Sequence, residues 1–273
     1  MDNSSNFPDQ RASIMTKQIT VSQIQPDLIW EDIDANLERL EGMIGQLTAK
    51  TDLIILPETF STGFTMQSRL YAEEEDGKAV QWLKRMALEN QCYMTGSIIL
   101  REGDNIYNRL YWISPKGIEG FYDKRHLFRM GREHQHFVAG KERPVFNLGE
   151  FRFLPQICYD LRFPVFSRNA EDYDVLFYVA NWPAPRHQVW ETLMLARAIE
   201  NQSYVLGTSR VGVDGEGVDH AGGSCAVDPK GNLIFRMANQ PGIQSSLLNL
   251  NEVRNFREKF PAWKDADRFK IID

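Results

Sequence analysis

A chain of 273 residues with 42% hydrophobic and 25% charged residues has the composition of a globular protein, not of a disordered one. Its formal net charge of −6, with Lys and Arg scattered among Asp and Glu, offers no basic stripe to a phosphate backbone, which argues against nucleic acid as a partner. The longest apolar runs, such as Leu53–Leu56 and Val175–Ala180, fall far short of the roughly 20 residues that cross a bilayer.

The opening MDNSSNFPDQRAS lacks the apolar stretch of a secretory signal, so a cytoplasmic location is expected. Met1–Lys17 holds too little apolar surface to offset the entropy of ordering, and residues 1–17 are expected to form a disordered extension. No Pro/Gly/Ser-rich linker interrupts residues 18–273, which are therefore read as one domain. The pattern predicts a strand over Gln18–Gln23, a helix over Ile33–Ala49, a strand over Leu53–Leu56, a helix over Lys78–Asn90, and strands over Tyr93–Leu100 and Arg109–Ile113. The same order then recurs: strand Arg152–Ile157, a short helix near Pro164–Ala170, strand Val175–Val179, helix Gln188–Asn201, and strands Tyr204–Ser209 and Ser224–Val227. Each half reads βαβαββ.

Each half also carries a Pro-Lys-Gly turn, at Ser114-Pro115-Lys116-Gly117 and at Asp228-Pro229-Lys230-Gly231. Pro presets φ there and Gly supplies the positive φ of a tight turn. The strands LIILP and VLFYVA are apolar throughout and so should be buried on both faces. In Gln188–Asn201, Val189, Leu193, Ala196 and Ile199 recur at helical spacing. The predicted fold is α/β, a four-layer α-β-β-α sandwich with internal βαβαββ pseudo-symmetry. The C-terminal stretch Asn255–Asp273, with Phe256, Phe260, Trp263 and Phe269, is too aromatic for a loose tail and is expected to pack on a subunit or partner.

Three widely spaced cysteines argue against a disulfide framework. Cys92 and Cys225 lie inside strand patterns and read as structural. Cys158, in LPQICYDLRF, follows a strand-like run and precedes Asp160, Arg162 and Pro164, so the chain should turn sharply there and lift the thiol from the sheet. Glu58, in DLIILPETFSTGF, follows an apolar strand and Pro57. Ringed by Phe60 and Phe64, its carboxylate would be desolvated, which raises a carboxyl toward the range of a useful base. Lys124, in GIEGFYDKRHLF, stands just past a third strand. All three sit at the C-terminal ends of strands, where α/β folds gather catalytic groups. A free thiol, with a pKa of about 8.5, is mostly protonated at neutral pH and needs such a base beside it to become a nucleophile.

His126, His134 and His136 lie close together, but without HExxH or the Cys–His spacing of a zinc cluster no metal site is predicted, and they are expected to line or support the pocket rim. Gly212, Gly215 and Gly217, in VGVDGEGVDH, form no dinucleotide fingerprint and read as a flexible turn between strands.

The ordered set LPETFSTGF, YDKRHLF and ICYDLRFPVF resembles the Glu-Lys-Cys triad of the nitrilase (carbon–nitrogen hydrolase) superfamily. The likeness continues through RAIENQSYV and VDPKG and spans about Gln18 to Val253. It implies a hydrolase in which Glu58 is the base and Cys158 forms a thioester. Lys124 and the backbone N–H of Tyr159 would hold the oxyanion, and Glu133, in MGREHQHF, is the candidate second glutamate. No metal or organic cofactor is required.

The segments YDKRHLFRM, CYDLRFP and ANWP resemble the omega-amidase branch, which hydrolyses the terminal amide of 2-oxo dicarboxylic acid monoamides such as 2-oxoglutaramate and 2-oxosuccinamate. The implied partner is a small anionic amide. Arg162 matches the carboxylate-binding position, with Arg186 and Arg210 as fallbacks. Trp182 matches an aromatic wall, and Tyr159 and Phe64 complete the expected pocket. The alternatives are a deaminated-glutathione amidase, another carbon–nitrogen hydrolase, and a redox-sensing or binding protein on the same fold. The resemblance also implies a homodimer formed near the nucleophile turn and the RAIENQ helix.

Overall fold

The computed structural model describes residues 17–170 and 173–272, so the extension expected over residues 1–17 lies, but for Lys17, outside the described residues. The first half supplies β1 (Gln18–Gln25), α1 (Ile33–Ile44), β2 (Leu53–Ile55), α2 (Ser68–Tyr71), α3 (Lys78–Asn90), β3 (Tyr93–Glu102), β4 (Asn105–Ser114) and β5 (Gly117–Asp123). The second half begins with β6 (Phe146–Leu148), β7 (Phe151–Ile157), α4 (Pro164–Ser167), β8 (Val175–Val179), α5 (His187–Asn201) and β9 (Tyr204–Thr208). A hairpin of β10 (Val211–Val213) and β11 (Asp219–Ala221) comes next, then β12 (Cys225–Val227), β13 (Leu233–Arg236), β14 (Gly242–Asn249) and α6 (Leu250–Lys259).

Two six-stranded sheets result, ordered β14-β1-β2-β3-β4-β5 and β13-β12-β9-β8-β7-β6. In each, three parallel strands, β1-β2-β3 and β7-β8-β9, are flanked by antiparallel ones. The repeated βαβαββ order is therefore a repeated sheet. The edge strands were the part the sequence pattern omitted. β6 has only three residues, and β14 runs along β1 from Gln18↔Asn249 to Gln25↔Gly242, a pairing that nothing local announces.

Alternating residues of the apolar strands face different layers, so both faces are buried as expected. Leu53 and Ile55, with Val175, Phe177 and Val179, meet in the core between the sheets around Trp112. Ile54 turns instead to a cluster with Leu40 of α1 and Leu83 of α3, and Leu176 and Tyr178 turn to Trp190 and Met194 of α5. The four layers are α-β-β-α.

Several boundaries moved for physical reasons. α1 starts where the Asp32 side chain accepts the Ala35 N–H at 3.0 Å, and it stops at Ile44, not Ala49, because Gly45 closes it. Leu47 prolongs the apolar spacing from beyond the helix and packs on the same cluster. β3 and β4 run longer than expected because Gly103, at φ 60°, allows a tight hairpin that pairs Glu102 with Asn105. The aromatic stretch Asn255–Asp273, expected to pack on a subunit or partner, is anchored on its own chain only in part. Just before that stretch, Leu250 and Val253 of α6 enter the inter-sheet core; within it the Phe260 carbonyl accepts Gln202 at 2.7 Å, and the Phe260 and Phe269 side chains are exposed. Among the described residues no helix is long and apolar enough to cross a membrane.

Gln23 of β1 fastens one sheet to the other. Fully buried, its amide donates to the Gly207 carbonyl at 2.7 Å, to Thr208 Oγ1 at 3.1 Å and to the Cys225 carbonyl at 3.1 Å. Gln23→Ala leaves those acceptors unpaired in the core, at about 2 kcal/mol. Calorimetry should show a melting temperature lower by about 4–8 °C, and an unchanged value would remove this role.

Candidate active site

The ends of four strands meet at one edge of the two sheets. Glu58 lies just past β2, Lys124 directly after β5, Cys158 directly after β7, and Asn181 just past β8. Cys158 has φ 46° and Thr59, next to Glu58, has φ 42°. Both are left-handed, an uncommon state for residues other than glycine. The turn at Cys158 is imposed by Asp160, whose Oδ2 accepts the Ile157 N–H at 2.9 Å. The same buried carboxylate takes the Tyr122 hydroxyl at 2.7 Å, the His126 N–H at 2.9 Å and His126 Nδ1 at 2.8 Å. One side chain thus ties the nucleophile turn to the segment that carries Lys124.

Lys124 is enclosed by two acids. Its Nζ donates to Glu58 Oε1 at 2.7 Å and to Glu133 Oε1 at 3.0 Å, and none of the three side chains is more than 1% exposed. The remaining valences of Glu58 are filled by Asn108 Nδ2 at 2.8 Å on Oε1 and by the Asn181 N–H at 2.9 Å on Oε2. Glu133 Oε2 receives the Phe128 N–H.

Burial alone would lower the Lys124 pKa, but the charges of Glu133 and Glu58 outweigh it and hold the ammonium above its usual value. Burial raises the Glu133 carboxyl, with the Glu58 charge adding to the rise and Lys124 opposing it. The Cys158 thiol is pushed well above its ordinary value by burial first and the Glu58 carboxylate second, with Lys124 acting against them. The resting thiol is therefore protonated at neutral pH, and Glu58 is the carboxylate beside it.

Cys158 is partly exposed, and it opens with Lys124, Tyr159, Arg162, Trp182 and Phe64 on a cavity of about 430 Å³. Glu58, Lys124, Cys158, Glu133, Arg162, Trp182, Tyr159 and Phe64 thus come together here. Glu58 and Glu133 are the ones set behind the cavity wall. Cys92 and Cys225 are buried elsewhere, and burial pushes each thiol up to about 12.

Three details differ, in whole or in part, from expectation. Phe60 does not ring Glu58, since it packs in the cluster beneath α1 and α3 with its ring 5.9 Å from that of Trp82, and polar donors surround the carboxylate instead. Phe64 does face the site, 4.9 Å from Lys124 Nζ. Arg210 is no pocket cation: it is fully buried and bound to Asp27 Oδ1 at 3.2 Å and the Leu28 carbonyl at 3.1 Å. Of the three clustered histidines none lines the cavity. His126 braces Asp160 while stacked 3.9 Å from Phe163, and His134 and His136 are exposed. The histidine of the cavity is His220, carried by the β10–β11 hairpin and bound through Nε2 to Asp214 Oδ2 at 3.0 Å.

That hairpin is the expected turn between strands, and it is packed against Trp30. Gly215 lies so close to the Trp30 ring that a Cβ there would sit 2.2 Å from it, and Gly212 belongs to β10 itself. Asn108 and Asn181 escaped the sequence reading as well. Asn181 stood in the ANWP segment, and Asn108 stands beside Arg109 in a strand of mixed polarity. Among the described residues no group of three or more His, Cys, Asp or Glu is placed to hold a metal ion.

A four-layer sandwich that presents a cysteine beside a buried Glu-Lys-Glu cluster defines a thiol-dependent hydrolase. The chain belongs to the carbon–nitrogen hydrolase family, whose model matches residues 18–258, and within it to the omega-amidase branch of the nitrilase superfamily. It is 42% identical to the omega-amidase YafV of Escherichia coli (strain K12), across 93% of this chain and 98% of that protein. Identity to the 2-oxoglutaramate amidase of Bacillus subtilis (strain 168) is 33%, across 90% and 96%. The fold superimposes with a TM-score of 0.91, at 38% identity and 93% and 99% coverage, on a CN-hydrolase superfamily protein of Xanthomonas campestris with an arsenic adduct in its active site. The protein is accordingly an enzyme that hydrolyses amide carbon–nitrogen bonds.

Glu133 makes stability pH-dependent in a known direction. Its carboxyl is raised above the ordinary value of 4.5, so its contribution is complete below that value and is lost as pH rises through the raised one. Glu133→Gln removes the titration. The variant's melting temperature relative to the parent should therefore climb as pH rises above the ordinary carboxyl value of 4.5, and a flat or falling difference in calorimetry contradicts the assignment.

Proposed function

We propose that the enzyme hydrolyses the terminal amide of small 2-oxo dicarboxylic acid monoamides, 2-oxoglutaramate and 2-oxosuccinamate, to the 2-oxo dicarboxylate and ammonia. The observation that carries this reading is a guanidinium in the cavity of the nucleophile. Arg162 lines it with Cys158, lies 5.5 Å from the centroid of the Trp182 ring, and has no acidic partner among the described residues. A substrate carboxylate is the natural occupant of that fork. The omega-amidase and 2-oxoglutaramate amidase relatives support the same substrate class.

In this reading Glu58 takes the Cys158 proton as sulfur attacks the amide carbon. The tetrahedral oxyanion is held by Lys124 Nζ and the Tyr159 N–H, at about 3–4 kcal/mol per donor. Glu58 returns its proton to nitrogen, the C–N bond breaks, and ammonia leaves a thioester on Cys158. The same carboxylate then draws a proton from water, whose oxygen displaces sulfur and releases the acid, and the proton passes from Glu58 to the departing Cys158 sulfur. Glu133 and Asn108 keep Lys124 and Glu58 in place throughout. The sum is amide plus water to acid plus ammonia, with the enzyme returned unchanged.

The partner of the chain is proposed to be a second copy. Val165, on α4 just after the nucleophile turn, and Ile199, on α5, are 56% and 57% exposed, which supports an apolar contact on this face. In sedimentation, Val165→Glu should shift the protein toward the monomer, and a parent that is monomeric removes the dimer.

Purified enzyme should release ammonia from 2-oxoglutaramate, and Cys158→Ala should not. Arg162→Gln should raise KM for that substrate at least about tenfold, the worth of a hydrogen bond to a charged group. Faster turnover of deaminated glutathione than of 2-oxoglutaramate would move the enzyme to the neighbouring amidase branch.

A further inference from the structure

The cavity holds a second guanidinium that the hydrolytic chemistry does not use. Arg186 ends the 3-10 turn Ala184–Arg186 that leads into α5, and it lines the same wall as Arg162 and Cys158. Its guanidinium lies over the Phe128 ring, 5.3 Å from the centroid, as that of Arg162 lies over Trp182. Trp182 couples the two, because its Nε1–H donates to the Arg186 carbonyl at 2.8 Å. Phe128 in turn meets the ring of Tyr159, next to the nucleophile, edge to face at 5.1 Å.

The other charges of the cavity are engaged. Lys124 is held by Glu58 and Glu133, and Asp214 accepts from His220 and from the N–H groups of Glu216 and Val218. Glu216 is exposed on the hairpin and pairs with neither arginine. Among the described residues Arg186, like Arg162, meets no carboxylate. A guanidinium held over an aromatic ring makes no hydrogen bond through that contact, so its N–H groups stay available to an acceptor. Two such guanidinium groups therefore serve one small cavity.

The acid head of a 2-oxo acid carries three oxygens, two on the carboxylate and one on the adjacent ketone. A single guanidinium fork engages two of them. We infer that Arg186 is a specificity residue that donates to the 2-oxo oxygen while Arg162 holds the carboxylate, so that the site selects 2-oxo acid amides over amides of plain dicarboxylic acids. This rests on the acid-amide reading given under Proposed function and names the group that discriminates within it.

The test compares 2-oxoglutaramate with glutaramate, which differs only in lacking the oxo group, in the parent, Arg186→Gln, Arg186→Lys and Arg162→Gln enzymes. Arg186→Gln should lower the ratio of kcat/KM between the two amides about tenfold, mainly through KM. Arg186→Lys should recover part of that ratio, and Arg162→Gln should weaken both substrates together. An unchanged ratio in Arg186→Gln overturns the inference, because loss of a merely structural arginine moves both amides alike.

A second measurement separates this inference from the function it builds on. Calorimetric binding of 2-oxoglutarate and glutarate to the Cys158→Ala protein should show a preference for the oxo acid that Arg186→Gln removes. If 2-oxoglutaramate is not hydrolysed by the parent but that preference is present, the substrate assignment fails and the role of Arg186 stands. If turnover occurs with no such preference in binding or in kinetics, the assignment stands and Arg186 is excluded.

Discussion

The site depends on one ammonium sealed from water between two carboxylates. Lys124 makes it possible for Glu58, Glu133 and the Cys158 thiol to be buried together, and removing one partner of such a group costs about 3–5 kcal/mol because a charge is left uncompensated. The constraint reaches well beyond the cavity. Glu58 comes from one sheet and its donor Asn181 from the other, so the sheets must hold a fixed separation. The Gln23 amide sets that separation from within the core. Asp160 does the same for the loops, binding the segments of Lys124 and Cys158 to one carboxylate.

The internal repeat gives this arrangement a simple description. β2 and β8 are the corresponding second strands of the two halves, and each is prolonged by one bond, Leu56 N–H to the Thr95 carbonyl and Ala180 N–H to the Thr208 carbonyl, both at 2.8 Å. Glu58 and Asn181 come after those bonds at nearly equivalent places. They face each other across the pseudo-symmetric interface, where the Asn181 amide also reaches the Glu58 carbonyl at 2.8 Å. One half supplies an acid and the other an amide to hold it. An apolar strand ended by a polar residue is thus used twice, for unlike purposes.

That same local grammar explains what could be read from the chain and what could not. A run such as LIILP followed by Glu58, or LPQI followed by Cys158, states locally where a strand stops and which side chain it presents. The parallel strands, and the placing of Glu58, Lys124 and Cys158 past strand ends, were legible for that reason. The partners of those side chains are set by folding at long range. Nothing near Phe60 told that it would turn to the helix layer while Phe64 faced Lys124, and nothing near Arg210 told that Asp27 would claim it. β14 could be paired with β1 only once the whole chain was in place. The histidines misled because sequence proximity in a loop does not give a common direction, whereas His220 reached the cavity from a hairpin that reads as a glycine-rich turn.

The left-handed threonine beside Glu58 sets heat tolerance against catalytic order. A β-branched side chain in that conformation is a true outlier, and such a backbone stores about 1–3 kcal/mol. Glycine would release it. Yet Thr59 Oγ1 accepts the Asn181 amide at 3.0 Å, a bond that glycine would remove from the asparagine that holds the Glu58 carboxylate. A lineage drifting toward hotter habitats would find its easiest stabilising substitution at this position obstructed by its own chemistry.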